Sequence, residues 1–349
     1  EEHIVGPGRH YGGLRRREPR WRDQAELLEA HRLHGPGRRA NVARVRSTDE
    51  NDAYRHAVLF YASGDGVLSA ALFFRRKIEA RGFMQPLLNI AIRAARRAGD
   101  LIVRYVDRVP SLGVRAKSRN DFVTEVDEMA ERDIVETIRR THPDHGFLGE
   151  ESGRSGGDEF VWIIDPLDGT TNFLHGFPVF AVSLAVEFRG RLEHAVVYDP
   201  LRQELFTASR GDGTQLDGRR VRVSKQATLE GALIGTGFPY RENKRWLDEY
   251  LAMLKVIMQG TAGVRRPGAA SLDLAYVAAG RIDGFWEIGL SPWDTAAGTL
   301  LITEAGGLVG TLSGGTFRQG GNIIAGAPKV YEEMVKAFSP HVPEALREG

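Results

Sequence analysis

The chain has 349 residues, 42% of them hydrophobic and 27% charged, with a formal net charge of +1. That length can bury a substantial core in one large or two ordinary domains. With no cysteine, disulfides, thiolate metal sites and cysteine nucleophiles are excluded, so any metal must be held by oxygen or histidine. A reducing compartment, the cytoplasm by default, is expected.

The near-neutral charge conceals an asymmetry. Residues 1–83 hold 16 Lys and Arg against 11 Asp and Glu, whereas the remainder holds 31 against 35. The early arginines are scattered among Gly, Pro and His, as in His34-Gly35-Pro36-Gly37-Arg38-Arg39, with no periodic apolar face. Residues 1–83 are therefore expected to be disordered or a non-native extension, and residues 84–349 a single catalytic unit. A nucleic-acid arm is the sharper alternative, but no aromatic interleaving supports it. The mostly apolar run 57–74 is broken by Ser63-Gly64-Asp65-Gly66, so neither a membrane span nor a signal peptide is expected.

From Leu87, apolar positions 90, 91, 94, 98, 101, 102 and 105 follow helical spacing and predict an amphipathic first helix. Lys117-Ser118-Arg119-Asn120-Asp121 reads as a polar loop. Thr124 and Asp127 have capping-box spacing and open a second helix, which stops before Pro143. That structural role alone would account for Asp127. The short apolar run Phe147-Leu148-Gly149 then ends in Glu150-Glu151, and a Gly-rich loop, 154–159, returns the chain to Val161-Trp162-Ile163-Ile164.

Those four apolar residues suit a buried strand that runs out at Asp165-Pro166-Leu167-Asp168, and Gly169-Thr170-Thr171-Asn172 supplies the turn chemistry that opens a helix. Two carboxylates three residues apart thus stand at a strand-to-helix corner, with Glu150 close enough to join them. Gly169 lets backbone approach a ligand, and the first amides of the helix, near Thr170 and Thr171, would face an anion. An ordinary capped loop would account for this stretch taken alone. Strands over 179–188, 192–198, 203–208 and 219–223, separated by turns, read as an antiparallel meander. Helices over 243–258 and 271–279 follow, then a strand over 283–288, a helix opened by Ser291-Pro292-Trp293-Asp294, strands near 308 and 323, and a last helix over 328–338.

With Glu150-Glu151-Ser152, Asp165-Pro166-Leu167-Asp168-Gly169-Thr170 and Trp293-Asp294 in this order, residues 84–337 resemble the inositol monophosphatase family, most closely its bacterial branch. The resemblance implies an α/β fold, the alternating α-β-α-β-α sandwich of the sugar phosphatase superfamily. It places Glu150, Asp165, the Leu167 carbonyl, Asp168 and Asp294 on magnesium-ligand positions. Asp127 and Thr170 fall on the pair that prepares the attacking water, with Glu150 nearby, and Lys117 on a basic position near the site. Gly268, Ala269 and Glu287 fall on substrate-contacting positions, beside Gly169, Thr170 and Asp294. The implied activity is Mg²⁺-dependent hydrolysis of myo-inositol monophosphate by a metal-activated water in a homodimeric enzyme. Related members act on other sugar or nucleotide bisphosphates, and bacterial members also act as RNA-polymerase-associated factors in ribosomal RNA transcription.

Electrostatics gives independent support. Four carboxylates converging at about 5 Å would repel by roughly 3 kcal/mol per pair at an effective dielectric near 20. Two or three Mg²⁺ ions would compensate, and the all-oxygen donor set suits a hard cation better than zinc.

Overall fold

The computed structural model describes residues 30–31, 42–43, 86–111, 114–118 and 121–347. The chain divides into two units, Glu1–Glu79 and Ala80–Gly349. In the first, Ala30–His31 (β1) pairs antiparallel with Val42–Ala43 (β2). The rest of the segment expected to be an extension lies outside the described residues.

In the second unit, helix 86–103 (α1) buries Leu87, Ala91, Ala94, Ala98 and Ile102, the stripe read from its spacing. Val114–Ser118 (β3) and Asp121–Thr124 (β4) form a hairpin. Lys117, Ser118 and Asp121, expected in a loop, therefore lie in strands, because the backbone ladder pairs polar residues as readily as apolar ones. Glu125–Arg139 (α2) starts at the predicted capping box: the Thr124 hydroxyl accepts from the amides of Val126 and Asp127, and the Asp127 carboxylate accepts from the Thr124 amide.

Gly146–Gly149 (β5), Gly153–Ser155 (β6), Phe160–Asp168 (β7), Ala181–Phe188 (β8), Arg191–Asp199 (β9), Glu204–Ser209 (β10), Gly213–Leu216 (β11) and Arg219–Val221 (β12) make an eight-stranded sheet, in the order β12-β11-β10-β9-β8-β7-β5-β6. β5 and β7 are parallel, and the other neighbours antiparallel. The strand expected to stop at Asp165 continues to Asp168 through an irregularity in its pairing with β8 between those two residues. Pro166, which has no amide to donate, sits in that irregular stretch. The helix expected after it is Thr170–Leu174 (α3), a little more than one turn.

Leu233–Thr236 (β13), Gly263–Arg265 (β14), Gly284–Leu290 (β15), Leu308–Gly310 (β16) and Gly321–Gly326 (β17) form a five-stranded sheet in the order β14-β13-β15-β17-β16. Leu247–Gly260 (α4), Ala270–Ala278 (α5), Pro292–Glu304 (α6) and Pro328–Phe338 (α7) complete the layers. Strand alternation decides which layer each side chain joins. Along β7, Val161 and Ile163 pack into a core with α5, α6 and the inner face of the five-stranded sheet. Trp162 and Ile164 point the other way, into a core with α1 and α2. A third core joins α4 and α7 to the outer face through Tyr250, Met253, Trp286, Ile324 and Met334. Each fully buried large apolar side chain contributes roughly 1.5–3 kcal/mol. The result is the expected α-β-α-β-α sandwich. No helix among the described residues is long and apolar enough to cross a membrane.

Candidate active site

Two chain segments meet where β7 ends. Asp165 and Asp168 come from β7, and Asp294 comes from the first turn of α6. Each offers an oxygen within 4.8 Å of the others. Hydrogen bonds fix all three: Asp165 Oδ1 accepts from the Leu167 amide at 3.0 Å, Asp168 Oδ2 from the Ser271 amide at 2.7 Å and the Ser271 hydroxyl at 2.5 Å, and Asp294 Oδ2 from the Ser291 amide at 2.6 Å. The Asp168 bonds cap the start of α5, tying the eight-stranded sheet to the helix layer beneath it. Nothing in the sequence pattern pointed to Ser271.

Glu150 reaches the same place by strand pairing. Gly149 lies opposite Ile164 in the parallel β5–β7 register, and the Glu150 amide donates to the Ile164 carbonyl at 3.1 Å. Glu150, Asp165, Leu167, Asp168, Gly169, Thr170, Gly268, Ala269, Glu287 and Asp294 all line one cavity of about 330 Å³. Glu150 is not part of the tight trio, although its charge acts on Asp165 and Asp168. Asp127 does not line the cavity but touches a residue that does. The Thr170 hydroxyl is 2.9 Å from Asp127 Oδ1 and 3.1 Å from the Leu167 carbonyl, and can donate to either. The other Asp127 oxygen accepts from the Thr124 amide and hydroxyl. Lys117 lies in β3, and its side chain is outside the described residues.

At Gly169 the backbone takes φ +94°, and a Cβ there would lie 2.9 Å from the Val179 carbonyl. Only glycine meets both conditions without strain. Since α3 is so short, an anion at this corner would be met by individual backbone amides rather than by a helix dipole.

The electrostatics of the cavity is one-sided. Burial, then the charges of Glu150, Asp168 and Asp294, pushes the Asp165 carboxyl well above the usual range. Burial likewise pushes Asp168 up to about 6, against the opposing bonds from Ser271. It pushes Glu287 up to about 8, with Asp294 adding to the effect and Arg266 opposing it. Burial also raises Asp127, although its bonds from Thr124 and Thr170 oppose the shift. At the trio's spacing, two full charges repel by roughly 3 kcal/mol at an effective dielectric near 20. A divalent cation would remove that penalty, so the residues fit a metal. The donors are carboxylates and a carbonyl, with no histidine among the described residues lining the cavity, which suits a hard cation.

Glu131 was not singled out from the sequence, yet it shapes this corner. It lies one turn after Asp127 on α2, is buried, and accepts from the amides of Glu151 at 2.8 Å and Ser152 at 2.9 Å. A Cβ on Gly149 would come within 2.5 Å of its carboxylate. α2 thus supports both the Thr170 contact and the turn carrying Glu150. Glu131→Gln places a donor against these amides and is expected to cost about 1–3 kcal/mol of unfolding free energy. An unchanged urea midpoint would show that the turn holds without it.

Comparison with known proteins places this geometry. The profile of the inositol monophosphatase family matches residues 84–342. Nus factor SuhB of Pseudomonas aeruginosa is 56% identical over 270 residues, covering 76% of this chain and all of that protein. Nus factor SuhB of Escherichia coli is 50% identical over 267 residues, again covering 76% of this chain and all of the relative. Among solved structures, inositol monophosphatase from Anabaena is 37% identical with a TM-score of 0.67, covering 75% of this chain and 98% of that one. The extragenic suppressor protein suhB from Bartonella henselae is 45% identical with a TM-score of 0.70, covering 72% and 98%. By profile, sequence and fold, the chain belongs to the inositol monophosphatase family.

Proposed function

We propose that the chain is a Mg²⁺-dependent phosphomonoesterase acting on a small polyol phosphate, with myo-inositol monophosphate as the expected substrate. The observation that carries this reading is the convergence of Asp165, Asp168 and Asp294 beside a threonine hydroxyl held by a buried carboxylate. Glu150, Asp165, the Leu167 carbonyl, Asp168 and Asp294 would hold the ions, two or three in number. When bound, they would supply charge neutralisation on the phosphate oxygens, acidification of water and stabilisation of the leaving alkoxide.

The chain's own residues supply orientation. When the Thr170 hydroxyl donates to Asp127, its lone pairs are left to accept a hydrogen bond from an attacking water. Glu150, which lines the same cavity, would take up the proton. Backbone amides from Gly169 onward would hold the phosphate, with Gly268 and Ala269 closing the side formed by the start of α5. Water attacks phosphorus in line with the ester oxygen, which leaves as the alkoxide and is protonated, so no covalent phosphoenzyme forms. Glu287, buried in the middle of β15, would accept hydrogen bonds from substrate hydroxyls.

Phosphate release from myo-inositol 1-phosphate, sugar bisphosphates and adenosine bisphosphates, each with and without Mg²⁺, tests the assignment; a preference for bisphosphates would move it to another substrate class. For Glu287→Gln assayed above pH 8, where this carboxyl is ionised, kcat/KM on inositol monophosphate is expected to fall by roughly ten- to a hundredfold, the worth of a charge-assisted hydrogen bond. Phenyl phosphate, with no ring hydroxyls, should lose far less. Equal losses on the two esters would remove Glu287 from substrate recognition.

Residues 84–349 are proposed as the whole catalytic unit, since the family profile begins at Met84. A chain of these residues is expected to keep the melting temperature and turnover of the full chain. A marked fall in either would make the earlier residues part of the working fold.

The relatives called Nus factor SuhB support a second reading, in which the chain also joins an RNA-polymerase antitermination complex. Retention of purified RNA polymerase by both the wild type and Asp168→Asn would support a binding role independent of catalysis. No retention by either would remove it.

A further inference from the structure

Two carboxyls in the cavity differ from the rest. Asp127, Glu131, Asp165, Asp168 and Asp294 each accept hydrogen bonds from the protein. Asp273, on α5, is 2% exposed and Glu287 is 6% exposed, yet among the described residues neither carboxyl has a hydrogen bond or ion pair. Buried polar groups are ordinarily paired, and leaving one unpaired costs stability. Their oxygens are not among the sealed, unpartnered atoms of the interior, and both residues line the cavity. They face the space a ligand would fill.

The backbone makes room for Glu287 and runs beside Asp273. Gly235 lies in β13 and Gly237 just beyond its end, two residues apart and so on the same face of the extended chain. A Cβ on Gly237 would overlap the Glu287 carboxyl, and one on Gly235 would meet Ile282 at 2.9 Å and Phe285 at 3.2 Å, with the Asp273 carboxyl carbon next at 3.7 Å. Both carboxyls thus lie beside the end of β13, at the wall of one cavity. Two carboxyls so placed can accept from hydroxyls at different positions of one polyol ring. Arg266, at the rim of the same cavity with its guanidinium 5.0 Å over the Phe238 ring, limits the negative field without pairing to either group.

The geometry points to Asp273 as a specificity-determining residue that, together with Glu287, forms a two-carboxyl acceptor site for the hydroxyls of a polyhydroxylated leaving group. This rests on the phosphomonoesterase reading above and adds a second anchor to it. Carboxyl oxygens provide several acceptor positions, so the site would favour esters of polyols over esters of simple alcohols or phenols. One anchor leaves a ring free to turn about a single hydrogen-bonded edge. Two anchors set its orientation and so decide which ester oxygen is presented for cleavage.

The test compares Asp273→Asn with wild type through the ratio of kcat/KM on myo-inositol 1-phosphate to that on phenyl phosphate, at saturating Mg²⁺. The substitution keeps the shape, and Asp273→Ser serves if the Asn variant fails to fold. The ratio is expected to fall by roughly ten- to a hundredfold, mainly through KM, with the Mg²⁺ requirement unmoved. The Asp273→Asn and Glu287→Gln effects should also be non-additive, as for two groups holding one ligand. An unchanged ratio, strict additivity, or a raised Mg²⁺ requirement for both esters overturns the proposal, the last by making Asp273 a cation ligand. Failure of wild type to hydrolyse either ester in Mg²⁺ would overturn the phosphomonoesterase reading itself, and this inference with it.

Discussion

Asp168→Asn is expected to lower phosphate release by roughly three orders of magnitude, the effect of losing several kcal/mol of charge stabilisation in the transition state. The side chain keeps its shape, and an amide oxygen can still accept from Ser271, which holds Asp168 at 2.7 Å and 2.5 Å. The start of α5 should therefore survive. What is lost is one negative charge from a trio within 4.8 Å. Because burial and neighbouring Glu150 disfavour that charge in the metal-free protein, the variant should melt at or above the wild-type temperature in chelator. In Mg²⁺ the order should reverse, since an ion that binds only the folded state stabilises it by mass action. Undiminished turnover in Asp168→Asn would remove this carboxylate from the metal site.

Thr170→Ala is expected to lower kcat by roughly two to four orders of magnitude, the range for a group that aids proton transfer or positions its partner. KM and the Mg²⁺ concentration at half-maximal rate should change little. The hydroxyl spans Asp127 at 2.9 Å and the Leu167 carbonyl at 3.1 Å, so removing it takes away an acceptor for water without removing a proposed metal ligand. Kinetics across a Mg²⁺ titration separate the two roles. A parallel loss of Mg²⁺ affinity would show that the hydroxyl acts through the Leu167 carbonyl, as a brace for the turn.

Much of this corner was legible because its signals are local. Asp165 and Asp168 lie three residues apart on one strand end, Asp127 sits at capping-box spacing from Thr124, and Asp294 follows Pro292 at a helix start. Glu150 was readable because a short apolar run before it suggested a neighbouring strand, and the β5–β7 register places it beside Asp165. Groups whose partners are distant in sequence were not legible. Ser271 holds Asp168 across 103 positions and Glu131 holds Glu151 across 20, and neither pairing leaves a periodic trace. Asp273 sits in an otherwise apolar helix and reads as an ordinary polar position. β13 and β14 went unread because Leu233-Ile234-Gly235-Thr236 and Gly263-Val264-Arg265 are short, glycine-containing and without alternation. β11 was hidden behind a Gly-Asp-Gly turn that leads directly into it.

The most direct test of the account is a Mg²⁺ titration of the chelator-treated full chain, in which phosphate release from myo-inositol 1-phosphate and the melting temperature are measured on the same samples. The account predicts no release above background in chelator, then a rise in turnover over the Mg²⁺ range that also raises the melting temperature, with both responses lost in Asp168→Asn. Turnover that persists in chelator, or Mg²⁺ stabilisation that survives in Asp168→Asn, would contradict it.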